Sequence, residues 1–212
     1  KYVNNGFYHT LATKTDGTLW VWGYNYNGAL GQNNRTQYSS PVQIPGTSWS
    51  SVSGGDNANS LATKTDGTLW TWGQNGYGNL GQSNTTQYSS PIQIPGTSWS
   101  SISAGNQNSL ATKTDATLWS WGYNYSGPLG QNNRINYSSP VQIPGTQWSS
   151  VSSTYHTLAT KTDGTLWSWG YNGNGRLGQN NQTPYSSPIQ IPGTSWSSVQ
   201  ATYRYSSATQ RI

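Results

Sequence analysis

The acidic residues of this chain are the first candidates for chemistry, because hydrolytic enzymes need paired carboxylates or an activated nucleophile. All five acidic residues are aspartates, and four of them recur after a repeated Lys-Thr pair: Asp16, Asp66, Asp115 and Asp163. Repeated turn aspartates typically bind their own backbone. The fifth, Asp56, lies in the segment Ser-Gly-Gly-Asp-Asn-Ala-Asn, which occurs once. We therefore expect no catalytic residue and no enzyme.

The two histidines could ligate a metal or act in catalysis. His9 and His156 occupy equivalent repeat positions, where other units carry Asn59 and Asn108. No unit adds Cys or carboxylates at ligand spacing. A phosphate-binding Gly loop with its Lys and Ser/Thr is also missing. We interpret the histidines as hydrogen-bonding residues at a strand start and expect neither a metal nor a cofactor.

Long loops rich in Tyr, Asn, Gln and Gly are better candidates, and they favour binding. Their middles differ while their ends stay constant, and variable loops on a fixed scaffold usually carry recognition. Tyrosine rings and amides serve this purpose in antibody paratopes, and they also suit sugar rings and hydroxyls. The candidate contacts are Tyr24, Tyr26, Tyr77, Tyr123, Tyr125 and Tyr171. The alternative is that these tyrosines are ordinary turn and packing residues.

Composition narrows the partners. Only 7% of the 212 residues are charged, yet 12 Trp and 15 Tyr argue against disorder. The net charge is +5, but four of the five Lys precede an Asp by two residues, and no Lys/Arg run exists. Nucleic acid is therefore not an expected partner. No apolar stretch approaches the roughly 20 residues of a membrane-spanning helix.

The chain repeats itself throughout. Trp20, Trp70, Trp119 and Trp167 are separated by 50, 49 and 48 residues, and a second series, at Trp49, Trp99, Trp148 and Trp196, has the same spacing. We predict a single repeat domain over residues 1–212. Its units cover approximately 10–59, 60–108, 109–156 and 157–204, with partial units at both ends.

Each unit reads as a small antiparallel meander. Residues 60–64 alternate as a half-buried strand, an Asp-Gly turn follows, and residues 68–73 form the return strand. Residues 90–96, held between prolines, suit an edge strand, and residues 98–103 form a last strand leading into the next unit.

A single meander with bulky residues on both faces cannot bury both alone, whereas radial stacking of meanders gives a β-propeller. We therefore predict an all-β fold, a β-propeller of four-stranded repeats of about fifty residues, with four full repeats plus terminal fragments. A tryptophan pair on one face of each return strand would pack against the neighbouring blade. These residues are Trp20, Trp22, Trp70, Trp72, Trp119, Trp121, Trp167 and Trp169.

The recurring order His-Thr-Leu-Ala-Thr-Lys-Thr-Asp-Gly-Thr-Leu-Trp-x-Trp-Gly, followed by Leu-Gly-Gln and Ser-Ser-Pro-Val-Gln-Ile-Pro-Gly, resembles the repeat of the regulator of chromosome condensation family. The resemblance covers essentially the whole chain and implies a propeller, seven-bladed in the best-known members. Functions in this family include nucleotide exchange on small GTPases and chromatin contact, and many bacterial members have no known role. Exchange activity would call for charged contact loops, which we expect this chain to lack.

Two features depart from the pattern. The third unit carries Asp115-Ala116 in place of Asp-Gly, so we predict a different turn there, because Ala disfavours positive φ. The ends, Lys1 to Thr10 and Gln200 to Ile212, are fragments of units. A truncated larger propeller, a ring completed by a second chain and an open arc would all account for them.

The low charge, the lack of Cys and Met and the near-identical units resemble bacterial and phage surface proteins of this repeat type. This resemblance implies an extracellular or virion-surface location. We expect a binding or adhesion module for carbohydrate or a cell-surface receptor. The alternative is a structural protein that self-associates through exposed end repeats into a larger ring, fibre or filament. A regulator of a small GTPase is a third hypothesis.

Overall fold

The computed structural model describes residues 2–210, so Lys1, Arg211 and Ile212, at the ends of the two terminal fragments, lie outside the described residues. Within this range all regular secondary structure is β, in four four-stranded sheets and one two-stranded sheet. Nowhere in residues 2–210 is there a helix of the length and apolarity that crossing a membrane requires.

The eighteen strands follow one plan, repeated blade by blade. The first blade contains β1 (Tyr2–Asn5), β2 (His9–Thr13), β3 (Leu19–Gly23) and β4 (Tyr38–Ile44). The second contains β5 (Trp49–Gly54), β6 (Asn59–Lys64), β7 (Leu69–Gly73) and β8 (Tyr88–Ile94). The third contains β9 (Trp99–Ala104), β10 (Asn108–Lys113), β11 (Leu118–Gly122) and β12 (Tyr137–Ile143). The fourth contains β13 (Trp148–Ser153), β14 (His156–Lys161), β15 (Leu166–Gly170) and β16 (Tyr185–Ile191). The last sheet pairs β17 (Trp196–Ala201) with β18 (Ser206–Gln210).

Each four-stranded blade is an antiparallel meander in sequence order, as predicted. The Trp-Ser-Ser strand, however, is the first strand of a blade. β9, for example, pairs with β10 of the following sequence unit, with Ala104 opposite Ser109. These first strands contact one another from blade to blade and so lie innermost, while the Pro-containing strands β4, β8, β12 and β16 are edges, as expected for strands with missing amide donors.

Blades stack by inserting the tryptophan face of one blade into the aliphatic face of the blade before it. Trp72 of the second blade is 0% exposed and clusters with Leu11, Leu30 and Ile44 of the first. Its indole Nε1 donates a hydrogen bond of 2.8 Å to the carbonyl oxygen of Ala29. Trp121 and Trp169 repeat this burial and this bond at the next two interfaces. Both faces of the second and third blades are thus covered, and the polar atom of the indole is satisfied at each of these interfaces.

A second set of tryptophans, Trp49, Trp99 and Trp148, reinforces the second, third and fourth blades from within. The Trp49 ring meets the rings of Trp70 and Trp72 edge-on, at centroid distances of 6.1 and 6.3 Å. The ammonium of Lys64 lies 4.7 Å from the Trp49 ring and 4.5 Å from the Trp70 ring. Cation–π contacts of this kind occupy the repeated lysines, which therefore act inside their own blades.

The two terminal fragments differ in outcome. β1 completes the first blade as its innermost strand, whereas β17 and β18 supply only two strands of a fifth sheet. The first blade has no preceding blade in the described chain, and Trp22 accordingly stays partly exposed while Trp72 is fully buried.

The prediction of a different turn in the third unit is wrong. Ala116 has φ of 61°, beside 77–80° for Gly17, Gly67 and Gly164, and its amide donates to the Lys113 carbonyl at 3.0 Å as the glycines do to the equivalent lysines. The rest of the turn decides the geometry, because Asp115 accepts hydrogen bonds from both the amide and the hydroxyl of Thr117. Alanine therefore tolerates the left-handed conformation, at a cost on the order of 1 kcal/mol.

The blade interface predicts unequal costs for the same substitution at equivalent positions. Trp121→Ala should destabilise the fold by about 3–5 kcal/mol, because it leaves a buried cavity and removes a hydrogen bond. Trp22→Ala, at the uncovered first blade, should cost less than half as much. Urea unfolding followed by circular dichroism measures both, and equal losses would contradict this account of blade packing.

Candidate functional site on the loop face

The meander directs two kinds of connection to one end of the propeller, here called the loop face. They are the short turns between the first and second strands, such as residues 6–8, and the long loops between the third and fourth strands, such as residues 24–37. The Asp-Gly turns and the Pro-Gly connections lie at the other end, here called the turn face. The predicted binding loops therefore share one surface.

Buried asparagines shape the long loops. Asn25 is 0% exposed, accepts from the Leu30 amide at 2.9 Å and donates to the carbonyl of Thr36 at 2.8 Å. Asn75, Asn124 and Asn172 make the equivalent bond to the loop leucine. These amides are occupied within the protein, so they form the frame of the loop and offer no contact to a ligand.

Five of the six candidate tyrosines fall into two clusters. In the first blade, Tyr24 and Tyr26 have ring centroids 5.2 Å apart. Across the second and third blades, Tyr77 lies 4.9 Å from Tyr123, which lies 6.4 Å from Tyr125. Tyr26 and Tyr125 are the most open, with 60% and 69% of their surface exposed. The sixth candidate, Tyr171, lines a pocket at the fourth blade that Tyr123 also borders.

Sequence reasoning missed the aromatic residues of the short inner turns. Tyr8 lies 5.3 Å from Tyr24, and Phe7 packs edge-on to Tyr8 at 4.8 Å. Tyr155 and Tyr203, from the last two sheets, meet at 5.4 Å. A signal was present, because Tyr8 and Tyr155 directly precede the equivalent histidines His9 and His156. These rings extend the aromatic surface inward towards the propeller axis.

The loop face also carries charge, contrary to the expectation of nearly uncharged loops. Four arginines lie in its loops, namely Arg35, Arg134, Arg176 and Arg204, against the single carboxylate of Asp56. On the turn face the four lysines are matched by four aspartates. This asymmetry could not be predicted from the net charge or from local sequence, because it depends on which connections between strands lie at the same end of the propeller.

The turn-face aspartates are structural, as interpreted from the sequence. Asp66 accepts from the amide and hydroxyl of Thr68 at 3.0 and 2.7 Å, and the same hydroxyl accepts from Trp70 Nε1 at 3.0 Å. The Thr68 hydrogen bonds lower the pKa of the Asp66 carboxyl. Asp56 differs, since burial raises the pKa of its carboxyl. It borders a polar cavity of about 460 Å³ lined by the innermost strands.

The histidines link neighbouring blades. His9 Nε2 lies 2.8 Å from the hydroxyl of Ser60, and His156 Nε2 lies 2.7 Å from that of Ser206. Burial lowers the pKa of His9 to about 4 and that of His156 to about 3. In residues 2–210, no three His or Asp side chains come together as metal ligands would.

Four stacked antiparallel meanders, with aromatic loops gathered at one end, define the chain as a β-propeller of the fifty-residue blade type. The model of the regulator of chromosome condensation (RCC1) repeat matches residues 16–60, 66–112, 115–159 and 163–208, and a second RCC1 model matches residues 99–127. The chain belongs to the RCC1 repeat family. No curated protein sequence shows significant similarity to it.

Solved structures agree with this fold. Human WBSCR16 matches with a TM-score of 0.87 at 22% identity, covering 100% of this chain and 58% of that one. Yeast RCC1 (Prp20) bound to Kap60 matches at 0.86 and 19%, with 100% and 54% covered. Prp20p from Saccharomyces cerevisiae, described with its binding to Gsp1p and histones, matches at 0.85 and 19%, with 100% and 56% covered. The chain thus spans little more than half the length of these proteins.

The buried histidines predict sensitivity to acid. Each histidine has a folded-state pKa below its unfolded value of about 6.5, so protons bind the unfolded chain more readily. The free energy of unfolding is therefore undiminished by these histidines above pH 6.5 and decreases as the pH falls towards 4. Replacing His9 and His156 by Asn, the residue of the second and third blades, should flatten this decline by about 1–3 kcal/mol per site. Unfolding free energies at pH 7, 5.5 and 4 test this, and parallel curves for the two proteins would refute it.

Proposed function

We propose that this chain is a non-enzymatic binding module whose loop face holds carbohydrate, including the glycans of a cell-surface receptor, at an extracellular or virion surface. The observation that carries the proposal is the aromatic surface itself. The rings of Tyr8, Tyr24 and Tyr26 contact one another in one group and those of Tyr77, Tyr123 and Tyr125 in a second, and both groups lie on the same solvent-accessible face. Folded proteins rarely leave so many large rings exposed together without a partner.

The class of ligand follows from the side-chain groups of the loops that remain accessible to solvent. The four buried asparagines of the loop frame are used internally, so the flat faces of the tyrosines and their hydroxyl groups are the main chemistry that the loops present. Such rings present a large rigid contact area at low entropic cost, and their hydroxyls can exchange hydrogen bonds with sugar hydroxyls. The absence of catalysis is inferred from the same inventory, since the turn aspartates and the buried histidines are engaged in structural hydrogen bonds.

Ligand binding should depend on the most exposed rings. Tyr26→Ala and Tyr125→Ala should each weaken binding about fivefold, the equivalent of roughly 1 kcal/mol for a lost ring contact. A glycan array identifies a ligand, and titration calorimetry then measures each variant. Thr47→Ala and Thr97→Ala, exposed on the turn face, are the matched controls. Unchanged affinity in both tyrosine variants would rule out this surface.

Self-association is a second candidate function, favoured by the partly exposed Trp22 of the first blade. Its equivalents Trp72, Trp121 and Trp169 are each covered by the aliphatic face of a preceding blade. A second copy could present its last sheet, β17 and β18, which no further blade of the described chain covers, making a head-to-tail contact that resembles the internal interfaces.

Light scattering over a range of concentrations tests this candidate. Growth of the solution mass with concentration, reduced by Trp22→Ser, is the expected result. A monomer at every concentration would eliminate self-association and leave the loop face as the functional surface.

A further inference from the structure

We propose that a pocket on the loop face, between the third blade and the last sheet, binds the carboxylate of an acidic sugar residue through Arg176. The pocket has a volume of about 350 Å³ and is walled by Tyr123, Tyr155, Tyr171 and Tyr203. This inference rests on the proposed carbohydrate-binding function. It adds that the ligand is negatively charged and that Arg176 binds the charged group.

Arg176 is buried without a counter-ion. Only 8% of its surface is exposed, and Nη1 donates to the carbonyl of Tyr203 at 2.7 Å. The side-chain oxygen of Asn174 accepts from Nη2 at 3.0 Å, in the amide orientation whose nitrogen donates to the carbonyl of Gly173. Nε has no acceptor, and no carboxylate in residues 2–210 forms an ion pair with the guanidinium. Burying a permanent charge without an anion is unfavourable, so the pocket is suited to receive one.

The blade does not need this arginine for its own folding. The equivalent loop positions hold Ala29, Asn79 and Pro128, and what the frame uses there is the backbone carbonyl. The carbonyl of Ala29 accepts from the hydroxyl of Ser60 at 2.9 Å, and that of Arg176 accepts from the hydroxyl of Ser206 at 2.7 Å. The side chain is therefore free to differ between blades, and only the fourth blade places a cation there.

The pocket geometry favours a planar anion attached to a ring. The guanidinium carbon of Arg176 lies 4.8 Å from the ring centroid of Tyr171, so its orientation is set by an aromatic neighbour. A fixed guanidinium binds a carboxylate through paired, charge-assisted hydrogen bonds. The volume is near the lower end of the roughly 300–1,000 Å³ of small-ligand pockets, which suits one sugar unit. Tyrosine rings on the other sides would contact that unit.

The surroundings support an anionic ligand. Arg35, Arg134 and Arg204 are exposed on the same face, where Asp56 is the one carboxylate of the described loops. Such a field attracts anions and speeds their association. It does not by itself select among anions, and the selectivity is assigned to the buried Arg176 and its aromatic walls.

The test compares two ligands with the same trisaccharide skeleton, one with free carboxylates and one with neutral methyl esters, and it uses the whole 212-residue chain. Trigalacturonic acid and its trimethyl ester are titrated by NMR and calorimetry. Wild type should bind the acid about 10- to 100-fold more tightly than the ester, as expected for charge-assisted hydrogen bonds. Arg176→Asn, which installs the residue of the second blade, should abolish this preference. Arg35→Gln, which removes an exposed charge on the same face, should retain most of it.

The outcomes separate this inference from the proposed function. Equal binding of acid and ester by wild type would overturn the inference, while loss of ester binding in Tyr26→Ala and Tyr125→Ala would still support the loop face as a glycan site. Binding of neutral glycans through the tyrosines, without binding of trigalacturonic acid, would likewise overturn the inference and leave the proposed function supported. An acidic peptide that binds more tightly than the trisaccharide, and through Arg176, would overturn the assignment to a sugar. Thermal midpoints of all variants show whether the fold is intact.

Discussion

A single backbone carbonyl at each blade interface is the contact on which the rest of the structure depends. The carbonyl of Ala29 accepts both the indole Nε1 of Trp72 and the hydroxyl of Ser60, at 2.8 and 2.9 Å. The carbonyls of Asn79 and Pro128 accept the equivalent pairs. Both lone pairs of the oxygen are thus used, in a region where an unpaired polar group would be costly. The tryptophan can therefore be buried completely, and its large apolar surface stabilises the stack.

This contact also joins the core to the functional surface. Ala29 lies in the long loop of the loop face, so docking of the next blade fixes a point in the middle of that loop. Asn25 fixes the same loop from the other side by accepting the amide of Leu30. The backbone is held at both points, and the side chains between the constant positions can vary without loss of the fold. A rigid frame with free side chains is what a binding surface requires, because less ordering is then needed on binding.

Much of the fold could be predicted from the sequence, because its signals are local and repeated four times. The Trp-x-Trp strands, the Asp-Gly turns and the fifty-residue period together specify four-stranded blades. The position of the Trp-Ser-Ser strand was harder to predict, because only the strand pairing shows that it is the first strand of the next blade. The turn at Ala116 was predicted wrongly, because the two Thr117 hydrogen bonds to Asp115 outweigh the preference of alanine for negative φ. The tyrosine clusters were only partly predictable, because Tyr8 and Tyr155 come from short inner turns far from the long loops in sequence.

The distribution of charge shows why the site could not be derived from composition. A net charge of +5 with few charged residues suggests a weakly basic surface. In the structure, the lysines of the turn face contact tryptophans of their own blades, as Lys64 contacts Trp49 and Trp70, and the neighbouring aspartates bind threonines. Those charges are already engaged, whereas the arginines of the loop face are not paired with carboxylates. The charge available to a ligand is therefore concentrated beside the exposed tyrosines. Arg176 alone among these arginines is buried, so it has the greatest loss of hydration for an anion to offset.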